Sequence, residues 1–507
     1  MTSADPTDID FSTISQRIRL HAERAPTRTA LIDGARRLDY ADLDALVDRC
    51  AAALQRDGVG ARDAIVVCAS ASIEYVAVFL GALRAGAAVA PLAPGSTTAS
   101  LARMVVDAGA RRLFVDAGTA ASFDGIDVPT LALDGAFEAW LAPAGTRPAE
   151  VDVQPDWPFN IIYSSGTTGE PKGIVQPHAM RWTHVRRGAV YGYGPDAVTL
   201  IATPLYSNTT LVVLFPSLAF GGAVVLMPKF DAALYLQLAE RHRATHTMLV
   251  PVQYRRLMAL PDFDRHDLAS FRVKFCTSAP FSAALKTEVL TRWPGGLVEF
   301  YGMTEGGGTC ILEAHAHPDK LHTVGCPAEG HDIRLIDDAG RELPAGATGE
   351  VVGHSAGMMS GYHRRPEASR AAEWFDTSGK RFIRTGDIGR FDADGFLVLV
   401  DRKKDMIISG GFNIYPSDLE AQLCQHAEVA EAAVVGAPSA QWGETPVAFV
   451  VRRAAATSDA EALCEWLNAR VGKTQRLAAL HLIDELPRSA IGKVLKRELR
   501  ERLGPLP

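Results

Sequence analysis

The chain has little of what marks secreted, membrane-embedded or nucleic-acid-binding proteins. Its seven cysteines, Cys50, Cys68, Cys276, Cys310, Cys326, Cys424 and Cys464, are scattered through 507 residues without one C-x-x-C pair. That spacing offers no zinc or disulfide framework and suits reduced thiols. Positive charge is in deficit, 52 Lys and Arg against 59 Asp and Glu, and no basic stripe stands out, which argues against a nucleic-acid partner. Residues 1–10 are acidic and polar, unlike a secretion signal. Long hydrophobic runs are also missing. The stretch that comes nearest to membrane-spanning length, residues 211–227, is broken by Pro216, Ser217 and the Gly221-Gly222 pair, so it reads as helix, turn and buried strand. The expectation is a cytoplasmic protein with no transmembrane segment, no internal repeat and no low-complexity tract.

What is present is ordinary globular composition, 47% hydrophobic with 44 glycines, in a chain too long for one core. Apolar positions alternate between helical and strand periods from the start. Residues 41–55 place Leu43, Leu46, Val47, Cys50 and Leu54 on one helical face, and residues 64–69 form a short apolar strand. Helices over 72–85 and around 101–108 alternate with strands at 89–92 and 113–115, the rhythm of a doubly wound parallel sheet. The pattern resumes beyond residue 223 with strands at 224–227, 247–250, 273–276 and 297–300. From 332 to 399, short strands with Asp-Gly and Gly-Glu turns indicate a small β subdomain. The fold class expected is α/β: a large N-terminal domain of residues 1–400, made of two doubly wound βα subdomains plus the small β subdomain. A charged hinge at 401–405 then leads to a mobile α+β C-terminal domain at 406–507.

Between the two βα blocks lies Ser164-Ser165-Gly166-Thr167-Thr168-Gly169-Glu170-Pro171-Lys172-Gly173, directly after an apolar strand. Glycines let the backbone turn tightly and bring its N–H groups to an anion. The hydroxyls add donors that swivel onto phosphate oxygens, and Lys172 supplies a mobile cation. The lysine is not placed as in G-x-x-x-x-G-K-[ST], so this is a phosphate loop of another kind.

Further along, Tyr301-Gly302-Met303-Thr304-Glu305 puts a carboxylate just past a buried strand, suited to holding Mg2+ together with phosphate oxygens. Thr385-Gly386-Asp387 offers an acid that can accept from both ribose hydroxyls. Arg402 stands at the domain boundary, and Pro487-Arg488-Ser489-Ala490-Ile491-Gly492-Lys493 ends on a lysine. Alone, each of these reads as a turn, a helix cap or a solvated charge. Taken in order, they resemble the acyl-adenylate-forming superfamily of acyl-CoA synthetases, peptide-synthetase adenylation domains and beetle luciferases. The acyl-CoA synthetase branch is the nearest, and the likeness extends over essentially the whole chain.

That resemblance implies a two-step reaction. A carboxylate attacks the α-phosphate of MgATP to give an acyl-adenylate and pyrophosphate, and the thiol of coenzyme A then displaces AMP. It implies that Ser164, Ser165, Gly166, Thr167, Thr168, Gly169 and Lys172 hold the phosphates, with Glu305 on Mg2+ and Thr304 beside it. Ser278, Ala279, Pro280, Glu299, Phe300, Tyr301, Gly302 and Met303 would surround the adenine, with Tyr301 stacked on it. Asp387 and Arg402 would reach the ribose, and Lys493 would bridge carboxylate and α-phosphate. Lys404 matches the hinge, and Gly410 and Gly411 would line the narrow path of the CoA arm. Trp442, Lys473 and Arg476 would meet the CoA nucleotide. The same likeness brings in a lysine acetyltransferase acting on Lys493, a homodimer and a place in fatty acid metabolism.

Two departures matter. Ser207, in Pro204-Leu205-Tyr206-Ser207-Asn208, stands where many relatives carry histidine, and Ile491 replaces a small residue before Gly492. The acyl pocket is expected to be lined by Tyr206, Ser207, Asn208, Val252, Tyr254, Gly306, Gly307 and Gly308, together with Ser278, Ala279 and Pro280. No acid here awaits an amino group and no arginine in the set awaits a second carboxylate. The expectation is an aromatic or medium- to long-chain aliphatic acid. The alternatives are an acyl-AMP ligase that loads a carrier protein, or a non-catalytic nucleotide-binding regulator.

Overall fold

The computed structural model describes residues 5–164, 171–409, 412–439, 442–454, 456–489 and 492–503. It divides the chain into two compact units, Met1–Asp332 with Gly353–Ile383, and Ile333–Val352 with Arg384–Pro507.

The first unit is built on two sheets. One has seven strands in the order Gly361–Tyr362, Lys172–Pro177, Pro158–Ser164, Ala88–Pro91, Ala64–Cys68, Ala110–Val115, Thr130–Ala132. Its inner strands pair in parallel and are buried along their whole length, as crossover helices require. The other sheet has nine strands, with a parallel centre of Gly296–Tyr301, Val273–Cys276, His246–Leu249, Val198–Ile201, Ala223–Leu226 and Thr29–Asp33. Antiparallel edge strands close it at both ends.

Helices Tyr40–Arg56, Ile73–Arg84 and Asn208–Ala219 share one continuous apolar core with both sheets. Their starts follow from sequence: Asp39, Ser72 and Ser207 each accept a first-turn N–H. Within the 211–227 run the strand Ala223–Leu226 follows the Gly221-Gly222 turn as expected, but Pro216 and Ser217 do not break the helix, which runs through both to Ala219. Lys274 is fully buried in the strand Val273–Cys276 and donates to the carbonyls of Trp293, Pro294 and Gly295. Burial draws its ammonium down to about 7.

A five-stranded sheet, Asp332–Ile336, Gly349–His354, Arg381–Phe391 and Glu373–Phe375 with Leu397–Arg402 paired to Arg381–Phe391, forms the small β subdomain. The second unit adds another five-stranded sheet, Phe412–Ile414, Ile407–Ser409, Gly443–Arg452 and Val429–Ser439, with Ala479–Leu482 joined in parallel to Gly443–Arg452. Helices Pro416–Leu423 and Ala460–Asn468 bury one apolar face against this sheet, and Lys496–Glu501 packs on a second cluster. The sequence reading places the domain boundary at residue 400, whereas the compact units part at 383/384. The physical reason is ladder pairing: Asp387 faces Arg402 and Phe391 faces Leu397 across one antiparallel pair. Among the described residues, no helix is long and apolar enough to cross a membrane.

Candidate active site

In open parallel sheets, ligands bind beyond the carboxyl ends of the strands. The expected site segments fall there. Four adjacent strands of the nine-stranded sheet end at Tyr301, Cys276, Leu249 and Ile201, and lead directly into residues 302–308, 277–280, 250–254 and 202–208. Across the unit, Pro158–Ser164 and Lys172–Pro177 form an antiparallel hairpin in which Ser164 faces Lys172. Residues 165–170, with the expected phosphate ligands Ser165, Gly166, Thr167, Thr168 and Gly169, lie outside the described residues, as do Gly410 and Gly411.

Lys172 extends from the base of that hairpin with Nζ 5.4 Å from the centre of the Tyr362 ring. The Tyr362 hydroxyl donates to Glu305 Oε1 at 2.9 Å. Burial raises the pKa of Tyr362, and the Glu305 charge adds to this, so the phenol stays a donor. Lys172, Tyr362 and Glu305 thus form one cation–phenol–carboxylate group. Sequence reading missed Tyr362, which stands in an unremarkable Ser-Gly-Tyr-His string.

Among the described residues no group of three or more His, Cys, Asp or Glu able to hold a metal is found, so Glu305 belongs to no such cluster. That carboxylate fits Mg2+ shared with phosphate oxygens, because this ion is commonly held by one or two carboxylates plus substrate.

The glycines at 306 and 307 are structural necessities, with φ of +79° and +82°. A Cβ on Gly306 would lie 2.0 Å from the Gly357 carbonyl oxygen. Ser278 also has positive φ, 81°, and its hydroxyl pairs with that of Thr209 at 2.7 Å. Tyr301 is nearly buried at the strand end, and Phe300 stacks on Phe275 with Tyr191 edge-on to both.

Three of the expected site residues make contacts within the fold. Glu299 is buried in an ion pair with Lys286 at 2.5 Å. Burial pushes its carboxyl pKa up, while Lys286 opposes the rise. Tyr254 is fully buried, its hydroxyl donating to the Phe275 carbonyl and its ring stacked on Phe281. Ser207 is mostly buried and caps the Asn208–Ala219 helix, which leaves its hydroxyl engaged. Tyr206, Val252 and Ala279 keep partial exposure, and Pro280 is exposed.

The second unit brings together residues about a hundred positions apart in the chain. Arg402 Nε pairs with Asp387 Oδ1 at 2.6 Å. Lys493 sits close enough to this pair to be affected by it: burial first, then the positive charges of Arg402 and Lys404, draw its ammonium down to about 8, against opposing pulls from Asp387 and Asp405. The lysine remains partly open to solvent. It is held by a tight turn in which Ser489 N–H donates to the Lys493 carbonyl at 2.8 Å and Gly492 takes φ of 78°. Asp405 in turn pairs with Arg500 at 2.9 Å, and Lys404 is exposed in the intervening turn. Trp442 is 48% exposed, and Lys473 and Arg476 are exposed beside the strand region that follows the hinge.

The chain belongs to the AMP-binding enzyme family. Residues 18–363 match that family and residues 418–493 match the AMP-binding enzyme C-terminal domain. It is 34% identical to an indoleacetate–CoA ligase of Aromatoleum aromaticum, over 96% of this chain and 98% of that one. Identity to a feruloyl-CoA synthase of Amycolatopsis is 33%, covering 95% and 97%. Among solved structures, ATP-bound MatB from Rhodopseudomonas palustris superposes with a TM-score of 0.87 at 30% identity, over 97% of this chain and 99% of that one. The match over both segments carries the acyl-adenylate-forming fold and an AMP-forming acid–thiol ligase chemistry to this family member.

Proposed function

We propose that the protein ligates an aromatic carboxylic acid to coenzyme A through an acyl-adenylate, with Lys493 as the group that neutralises the reacting phosphorus. The observation that supports this most is the placement of Lys493 beside the Asp387–Arg402 pair, an arrangement a nucleotide-binding regulator has no need to keep.

The first step pushes an anion onto a polyanion, so charge stabilisation at phosphorus is the protein's main task. Ser164 through Gly169 and Lys172 cradle the phosphates. Glu305 is the residue that would hold Mg2+, which supplies charge neutralisation when bound, and the Tyr362 hydroxyl fixes this carboxylate's direction. Tyr301 with residues 278–280 borders the adenine, and Asp387 accepts from the ribose hydroxyls. Lys493 meets the substrate carboxylate and the α-phosphate as the P–O bond to pyrophosphate breaks. For the second step the C-terminal domain turns about Lys404, which removes Lys493 and presents Gly410 and Gly411 to the pantetheine arm. Trp442, Lys473 and Arg476 then receive the CoA nucleotide. Phe300, stacked on the buried Phe275, and Tyr191, edge-on to both, bring apolar ring surface to the strand ends, which suits an aryl group. The named acids of the two relatives, indoleacetate and ferulate, are aromatic as well.

The test is pyrophosphate release from ATP against a panel of acids, with CoA, with a carrier-bound pantetheine, and with neither. Acid-dependent release and thioester formation with free CoA support the proposal. Thioester formation on the carrier alone would favour carrier loading, and the absence of any acid-dependent turnover would contradict it.

A further inference from the structure

The helix His178–Arg187 carries Arg181, His184 and Arg187 at three-residue intervals, the first fully buried and the other two half-buried. Arg181 is 1% exposed, yet among the described residues it has no carboxylate partner. Its Nη2 donates to Gln176 Oε1, to Asn208 Oδ1 at 3.0 Å and to Asn160 Oδ1 at 3.4 Å, while Nε is buried without an acceptor. Phe159 and Phe215 lie 5.3 and 5.6 Å from the guanidinium, so nothing but neutral groups surrounds this charge. Gln176 Nε2 donates to the Thr304 carbonyl, which ties Arg181 to the residue before Glu305.

At the other end of the helix, Arg187 Nη2 lies 3.3 Å from His331 Nε2. The backbone N–H of Thr309, which directly follows the Gly306-Gly307-Gly308 run, donates to His331 Nδ1 at 2.9 Å. A neutral imidazole has one acceptor nitrogen, so Nε2 carries the proton. Arg187 and His331 therefore point two donors at each other with no acceptor between them. His184 lies between the ends, near Arg181, Arg187 and His331. Arg181 is thus a buried charge met only by neutral amide oxygens and the His184 ring, whose Nδ1 lies 3.4 Å from its Nη1, and the half-buried Arg187 faces a donor, so the cluster lacks a counter-charge that an anion arriving with the substrate would supply.

We infer that the acid this enzyme activates carries a second carboxylate, received by Arg181, His184, Arg187 and His331 at the far end of the acyl site. The inference rests on the ligase reading above and replaces the sequence expectation of an acid with an uncharged tail. Tyr191, close to Arg187 and edge-on to Phe275 and Phe300, sets an aromatic spacer between the two carboxylates. Burial draws Arg181 down to about 9 and His331 to about 4, so before substrate binds the arginines carry the charge and the histidines act as neutral donors.

The experiment measures kcat/KM in ATP–pyrophosphate exchange for matched pairs of aromatic acids, each monoacid beside its counterpart bearing a second carboxylate at the distal ring position. The dicarboxylate is expected to be at least tenfold better in the wild type. Arg187→Gln and His331→Gln should each lower that ratio at least fivefold, and Arg187, half-exposed on its helix, is the safer change for folding. Equal or better use of the monoacids by the wild type overturns the inference and leaves the ligase reading intact. Loss of exchange with every acid overturns both. An unchanged ratio in the two variants also overturns it.

Discussion

In the proposed reaction Lys493 is the side chain on which the first step turns, and its environment makes a quantitative prediction. Replacing it by alanine removes a preorganised cation from the reacting phosphorus, a loss of about 3–4 kcal/mol, or roughly 10²–10³ in exchange rate. Its pKa also sets a pH limb. The protonated form is the active one, and burial with the neighbouring Arg402 and Lys404 charges has lowered it to about 8. kcat/KM for ATP, which reports groups of the free enzyme, should be full below that value and fall as pH rises through it. A Lys493→Arg variant, slower but permanently charged, should lack this limb. Tyr362→Phe removes the hydrogen bond to Glu305, and the lost contact to a charged group, about 1.5–3 kcal/mol, should appear as a raised KM for MgATP.

Lys172 and Glu305, and Asp387, Arg402 and Lys493, stand out in the sequence because each sits in a short string whose residue types suit a phosphate or ribose ligand, and the structure groups the first two through Tyr362 and the other three together. The partners of Tyr254 and Glu299 were not legible, because a motif gives proximity along the chain but not the direction of a strand or helix face. Glu299 alternates to the Lys286 side of its strand, and Tyr254 points under the sheet. Arg181, Arg187 and His331 were missed for the opposite reason: the i, i+3, i+6 spacing on the helix is visible, but the want of a partner acid exists only in three dimensions.

Among the elements, strands that end at the site were placed within a residue or two by apolar runs bounded by turns, for example Val273–Cys276 and Gly296–Tyr301. The C-terminal helix was less legible: it spans only Lys496–Glu501, shorter than its basic pattern suggests. The loop after Tyr301 yields a stability prediction. Gly306→Ala would set a Cβ against the Gly357 carbonyl in a left-handed conformation, so it should destabilise by more than ~1 kcal/mol, read as a lowered urea midpoint. At the hinge, Lys404→Pro should leave exchange intact while slowing thioester formation, because proline removes a soft torsion where the turn must reorient. Normal CoA transfer in that variant would remove the hinge assignment.

For the protein as a whole, the α/β class and two-sheet plan were readable from alternating periods, whereas the division into compact units was not. Pairing of Arg381–Phe391 with Leu397–Arg402 joins segments on both sides of residue 400, and a ladder register leaves no mark in composition. The same ladder puts Asp387 opposite Arg402, and the turn ending at Lys493 closes on them in the second unit. The proposed mechanism has one cation serve the first reaction step and leave for the second. The most direct test compares wild type and Lys493→Ala in two assays: ATP–pyrophosphate exchange, and CoA thioester formation from supplied acyl-adenylate. The account predicts that the variant loses exchange by roughly 10²–10³-fold while thioester formation from the adenylate persists. Exchange at the wild-type rate in Lys493→Ala would contradict it.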